Sequence, residues 1–220
     1  HFEGFRNTIL SNNLKAKTCD FNDIISIRKA ITKKTKAIIF NSPENPTGKV
    51  YSSKKTGALI NIARQHSLWI IADEVNNQLT YEGSDKYSLS FGKDDKIVVV
   101  NTLSKNYFPQ GLRVGWLVSG SDLIQKLTVR LASQTVCVNI LGQLAAVEMF
   151  KFLSKQKLPP SYIQLLQERR DIIVSILKVA GFKIDIPDGG TNFFMDVDMD
   201  SEIFADHLLK KYHVAVIPGR

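Results

Sequence analysis

The sequence predicts an α/β fold: a mostly parallel sheet with helices on both faces, followed by a smaller α+β unit. Three observations carry this prediction. Short apolar runs rich in β-branched residues, at 36–40, 68–72 and 97–100, read as buried strands. Stretches with helical periodicity lie between strands, the alternation that a parallel sheet with crossover helices produces. Each run also gives way to small polar residues and turn formers, the chemistry expected at the carboxyl edge of an open sheet.

Taken in order, residues 2–10 suit a short helix and residues 15–19 an extended segment. Asn22 is a fitting N-cap for a helix over 23–31, which places Ile24, Ile27 and Ile31 on one face. The strand 36–40 runs into Asn41-Ser42-Pro43-Glu44-Asn45-Pro46-Thr47-Gly48, dense in turn formers. Ser52 or Ser53 opens a helix to about His66, with Leu59, Ile62 and Ala63 inward and Gly57 a weak point. The strand 68–72 stops at Asp73-Glu74, and a loop-rich stretch over 76–95 leads to the strand 97–100. A further strand is expected at 112–118, then helices at 122–133 and 141–153. Pro159-Pro160 introduces a long amphipathic helix over 161–179, with Gly181 as its C-cap. Short strands at 182–186 and 192–197 flank Asp188-Gly189-Gly190, and a helix at 201–211 and a strand at 214–217 close the chain. The change of pattern divides the chain into a large domain, 1–155, and a smaller one, 156–220. There are no internal repeats and no low-complexity segments.

Composition narrows the function classes. A hydrophobic content of 44% with 23% charged residues is that of an ordinary globular protein, and 220 residues suffice for one large core. No apolar run reaches membrane-spanning length, and the opening residues are not a signal peptide. Without a leading Met, the first residue is not expected to be the biological N-terminus. Cys19 and Cys137 are far apart and lack metal or redox spacing, which favours reduced thiols in a cytoplasmic protein. The net charge of +8 comes from scattered basic residues with no interleaved aromatics, so it reads as a solvated surface and argues against nucleic acid. No metal site is expected: His66, His207 and His213 are widely separated. Asp196, Asp198 and Asp200 alternate on one predicted strand face without the glycine and terminal glutamate of a calcium loop.

The chemistry concentrates where strands end. Asn45 follows the first run, Asp73 the second and Lys105 the third. Neighbouring parallel strands would bring an amide, an acid and an amine to one crevice. Arg113 follows Lys105 by eight residues, between Gly111 and Gly115, where close backbone approach is open to an anion-binding guanidinium.

Asn45-Pro46-Thr47-Gly48, Asp73-Glu74-Val75, and Thr102-Leu103-Ser104-Lys105 through Arg113 resemble, in order and spacing, the pyridoxal-phosphate aminotransferases of fold type I, class I/II, the aspartate aminotransferase superfamily. The resemblance extends from before Asn22 to Ile217-Pro218-Gly219. It implies the cofactor pyridoxal 5′-phosphate, amino acid and 2-oxo acid substrates, and a homodimer with each active site at the subunit boundary. It implies that Lys105 forms the Schiff base with the cofactor aldehyde and later carries the proton. Asp73 would pair with the pyridine nitrogen, so that the charged ring accepts electrons from the broken Cα bond. Asn45 would donate to the phenolic oxygen O3′. Arg113, with the hydroxyl of Thr102 and that of Ser104, would hold the phosphate.

One position departs from the pattern. Three residues after the aspartate the family commonly has a tyrosine that hydrogen-bonds O3′, and here Asn76 stands in its place. An amide there is expected to raise the pH at which the Schiff base loses its proton. It also opens the way to other chemistry at the same cofactor: elimination, decarboxylation or oxidation of an amino acid. A cofactor-sensing domain of a transcription regulator is the rival from another class. The phosphate loop, the stacking aromatic and the carboxylate-clamping arginine of the family have no counterparts between His1 and Arg220, so the sequence is expected to be the central part of a longer enzyme. Asn139 and Gln143 are candidates for the dimer-facing side of the pocket, and Glu74 is expected to be structural.

Overall fold

The computed structural model describes residues 3–84, 89, 96–107, 109–155 and 160–219. Strands β1 (Ala37–Asn41), β2 (Trp69–Asp73) and β3 (Ile97–Thr102) run parallel, and β4 (Gly115–Val118) joins β3 antiparallel, in the order β1-β2-β3-β4. Helix α3 (Ser53–Gln65) carries the chain from the carboxyl end of β1 back to the start of β2, a return that no tight turn can make. Among the described residues between β3 and β4, the regular structure is the single-turn helix α4 (Leu103–Asn106) and a 3₁₀ turn, Gln110–Leu112. So short a link reverses the chain, and Thr102 comes to lie opposite Gly115.

Strand alternation decides what is buried. Ile38, Phe40, Ile70, Ala72, Ile97 and Val99 occupy matched positions on one face of the sheet. They pack with Leu59, Ile62 and Ala63 of α3 and with Ile27 of α2 (Ile24–Ala30). The spacing of Thr56, Leu59, Ile62 and Ala63 gives α3 one buried stripe, as its sequence predicts. Ile62 is only 1% exposed, and truncation to Ala would cost about 2–5 kcal/mol. A second cluster joins Leu103 and Val114 to Ala146 of α6 (Ile140–Lys155), where Phe150 meets Trp116 and Tyr107 edge-on. Gly142 permits this approach: a Cβ there would lie 2.7 Å from the Leu112 carbonyl oxygen and 2.9 Å from Val114 Cγ2. Helix α1 (Glu3–Ser11) precedes the sheet and α5 (Ser121–Thr135) follows it. After α7 (Pro160–Val179), β5 (Lys183–Ile184) and β6 (Met195–Asp196) form a separate antiparallel pair, and α8 (Ser201–Tyr212) follows. No helix among the described residues is long and apolar enough to cross a membrane.

Several local expectations are corrected. The cap of α2 is Asp23, whose Oδ1 accepts from Ile25 N at 2.8 Å, because the Asn22 side chain is engaged by Asp20 Oδ1 and Lys55 Nζ. The strand expected at 112–118 begins only at Gly115, since Arg113 takes the left-handed conformation (φ 52°) that ends an extended run. The strands at 182–186 and 192–197 contract to two residues each. No strand forms at 214–217: Val214 N returns to Leu208 O, closing the end of α8. Asp196, Asp198 and Asp200 do not share a strand face, because Asp200 caps α8 through Glu202 N and Ile203 N. Asp198 instead reaches Lys183 at 3.5 Å. Of the loop expected over 76–95, residues 85–88 and 90–95 lie outside the described residues, as do His1, Pro159 and Arg220.

Candidate active site

The exits of β1 and β2 are joined by Asn41, which stands in the sequence among turn formers. Asn41 ends β1 in register with Asp73. Its Nδ2 donates to the Asp73 carbonyl oxygen at 2.9 Å, and its Oδ1 accepts from Asn45 N at 2.7 Å. One side chain therefore seats Asn45 against the end of β2. The loop closes further where Gly48 N donates to Glu44 O at 2.7 Å and Thr47 Oγ1 to Glu44 Oε2 at 2.6 Å.

Asp73 is half-buried, and its Oδ1 accepts from Val75 N at 3.1 Å. Burial pushes its carboxyl above the ordinary carboxylate range; the Val75 N–H opposes this, and the charge of Glu74 adds to it. Oδ2 has no hydrogen-bond partner among the described residues. A carboxylate in this setting is stabilised by a protonated nitrogen brought to its second oxygen. Asn76 is buried in the turn that follows, where its carbonyl oxygen accepts from Leu79 N at 2.8 Å.

At the exit of β3, Thr102 caps α4. Its Oγ1 accepts from Ser104 N at 3.2 Å and donates to Val114 O at 3.0 Å. The turn so fixed carries Lys105, whose side chain is exposed. The left-handed backbone of Arg113 costs about 1–2 kcal/mol. Its guanidinium lies with Nη1 2.9 Å from Gln110 O and 3.4 Å from Ser104 Oγ. Thr102, Ser104, Lys105 and Arg113 thus form one group, and Asn45 and Asp73 another.

Two connections leave little trace in the sequence. Asn106, fully buried, bridges the two groups: its amide reaches Asn101 and Asn77, and Gln78 N donates to its oxygen. A polar residue directly after Lys105 in a turn that packs Leu103 inward is the only signal that marks it. The turn Pro187-Asp188-Gly189-Gly190 docks onto the β1 and β2 loops. Gly189 N donates to Gly48 O at 2.9 Å, Val50 N to Asp188 Oδ2 at 3.2 Å, and Tyr81 Oη to Gly190 O at 2.6 Å. Arg170 lies 4.6 Å above the Tyr81 ring and donates to Pro187 O. Glu74 has the structural part expected of it: buried, it accepts from Leu89 N and Asn77 Nδ2. Asn139 caps α6 through Leu141 N and Gly142 N, and Gln143 donates to Val138 O.

The model of the family described as aminotransferase class I and II matches residues 5–220. The chain belongs to that family. Among relatives of this chain, the aspartate aminotransferase of Thermotoga maritima is 34% identical over 84% of the chain and 48% of its own length. The (5-formylfuran-3-yl)methyl phosphate transaminase of Methanocaldococcus jannaschii is 30% identical over 98% and 57%. Two crystal structures are also similar. A Methanococcus jannaschii protein, described as similar in its active site to kynurenine aminotransferases, gives a TM-score of 0.88 at 30% identity, over 99% of this chain and 58% of its own. The Thermotoga aspartate aminotransferase gives 0.81 at 31%, over 89% and 51%. The chain spans about half the length of the curated relatives it matches.

Members of this family depend on pyridoxal 5′-phosphate. The side chains at the strand ends fit such a group. A hydroxyl and a guanidinium 3.4 Å apart suit a phosphate, an acid with one oxygen open suits a ring nitrogen, and an exposed amine suits an aldehyde.

Proposed function

We propose that the protein is a pyridoxal-phosphate-dependent aminotransferase that moves the amino group of an amino acid to a 2-oxo acid. The observation that carries this reading is the convergence of Asn45, Asp73, Lys105 and the Ser104–Arg113 pair at the carboxyl edge of three parallel strands. Arg113 and Ser104 hold the phosphate, and Thr102 joins them when its hydroxyl turns from Val114 O. Asp73 keeps the ring nitrogen protonated, and its burial supports this role because the buried charge gains most from a cationic partner. Asn45 and Asn76 face the phenolic oxygen. Lys105 would be the amine that holds the cofactor aldehyde and, when free, the base positioned to take up and return the proton at the substrate Cα. Bound cofactor supplies an electron sink for the bond broken at Cα.

The same reading assigns residues 1–155 to a cofactor-binding domain and 156–220 to a smaller one. The free cysteines Cys19 and Cys137 support a reducing, cytoplasmic setting. Exposed apolar side chains on α5 and α6, among them Val129, Ile140, Leu141 and Leu144, support a homodimer. Asn76 in place of a tyrosine favours a second reading, elimination, decarboxylation or oxidation at the same cofactor.

The test is the visible absorbance of the full-length protein, followed by borohydride reduction and mapping of the adduct. A reduced adduct on Lys105 is expected; an adduct elsewhere, or none, overturns the assignment. Product analysis with an amino acid, with and without 2-oxoglutarate, separates the two chemistries. Oxo acid released without an acceptor excludes simple transamination.

A further inference from the structure

Lys105 and Asp73 stand on different strand exits, and no hydrogen bond joins them directly among the described residues. Between the two exits runs a chain of hydrogen-bonded amides, with Asn106 buried and Asn77 and Asn101 half-buried. Glu74 Oε1 accepts from Leu89 N, and Glu74 Oε2 accepts from Asn77 Nδ2 at 3.0 Å. Asn77 Oδ1 then accepts from Asn106 Nδ2 at 2.9 Å. The same Asn106 nitrogen donates to Asn101 Oδ1 at 2.7 Å, and that oxygen also accepts from Thr102 N at 2.7 Å. Asn106 Oδ1 accepts from Gln78 N at 3.0 Å.

The polarity of this chain is not free. A carboxylate only accepts, so Glu74 turns the Asn77 nitrogen toward itself and the Asn77 oxygen away. Asn106 must then present nitrogen to Asn77 and Asn101, and its oxygen is left for the backbone N–H of Gln78. Flipping this amide would set oxygen against two oxygens and nitrogen against a donor. At 0% exposure, no water is at hand to relieve such a conflict. Asn106 is the last residue of α4, directly after Lys105, while its partners Asn77 and Gln78 belong to the turn directly after Asp73 and Glu74.

We propose that Asn106 is a positioning residue, which uses the amide polarity set by Glu74 to fix the Lys105 turn relative to Asp73. This inference rests on the functional reading above. Its test compares full-length Asn106→Asp with wild type, both loaded with pyridoxal 5′-phosphate. The substitution keeps size and replaces the double donor by an acceptor facing Asn77 and Asn101. The visible circular dichroism per bound cofactor, which reports how the ring is held, is expected to fall by about half or more. A displacement on the order of 1 Å predicts a loss of about 10²-fold in kcat, with KM within about threefold. Asn77→Ala, at a half-buried position, removes the neighbouring link and is expected to change the same signals in the same direction, by less. It serves should Asn106→Asp fail to fold. Dichroism and kcat unchanged within about twofold in a folded variant, with only the melting temperature lowered, would make Asn106 a packing residue and overturn the proposal. Wild type lacking visible absorbance and a Lys105 adduct would instead overturn the functional reading itself.

Discussion

Asn192 Nδ2 donates to Asn45 Oδ1 at 3.0 Å, across 147 residues of sequence. The bond occupies the carbonyl end of the Asn45 amide and leaves its nitrogen to face a ligand. Asn192→Ala should therefore loosen Asn45 without disturbing the fold. An accessible hydrogen bond is worth about 0.5–1.5 kcal/mol, so cofactor affinity should drop roughly 2–10-fold. Equilibrium titration with pyridoxal 5′-phosphate measures it, and an unchanged Kd would remove Asn192 from the site.

The contact between Gly48 and the Pro187–Gly190 turn leaves no room for a side chain. A Cβ on Gly48 would lie 2.5 Å from Pro187 Cβ and 2.6 Å from the Gly189 carbonyl oxygen, at a backbone φ of +72°. Gly48→Ala should destabilise by about 1–3 kcal/mol, read from the denaturant midpoint. Gly57, inside α3 with nothing within 4 Å of its Cβ direction, is the control. Gly57→Ala should stabilise by about 0.5–1 kcal/mol.

Asp73 predicts a pH dependence. Burial raises its carboxyl in the folded protein, so the folded state holds the proton more tightly than the unfolded one. The resulting stabilisation is fully present below the ordinary carboxylate value, about 4, and is lost as pH rises through the raised one. Asp73→Asn keeps an oxygen for the Val75 N–H and carries no charge. Without cofactor, the variant should be more stable than wild type at pH 8, and the difference should shrink toward pH 4. Denaturation series at the two pH values decide this; a difference that grows toward acid would contradict it.

Arg113→Lys tests the grip on phosphate. Lysine keeps the charge but loses the planar fork, in which Nη1 alone meets Gln110 O and Ser104 Oγ and the other nitrogens stay available for a two-point grip on phosphate. A lost charge-assisted hydrogen bond of about 1.5–3 kcal/mol predicts a cofactor Kd raised roughly 10–100-fold. Titration with pyridoxal 5′-phosphate and with unphosphorylated pyridoxal distinguishes the cause: affinity for pyridoxal should be nearly unchanged by the substitution.

The sequence by itself determined the parallel core and singled out the residues proposed to bear the chemistry. Apolar runs such as 97–100 must be buried, and a helix like α3 shows its inward stripe in the spacing of Leu59, Ile62 and Ala63. Asn45, Asp73 and Lys105 stood out because each is a polar group following a strand, and Arg113 because it is a guanidinium between two glycines eight residues further on. Tertiary structure alone decided how those groups are held. Asn41, Asn106 and Asn192 act through partners 32, 29 and 147 residues away, and an amide's chain position does not reveal which distant donor or acceptor will meet it. The left-handed turn at Arg113 has the same origin, whereas 214–217 loses its expected strand to a local bond in which Val214 N closes α8 on Leu208 O. Ladder pairing and the tight approach of Gly142 are long-range geometry, and they override the local preference for extended chain.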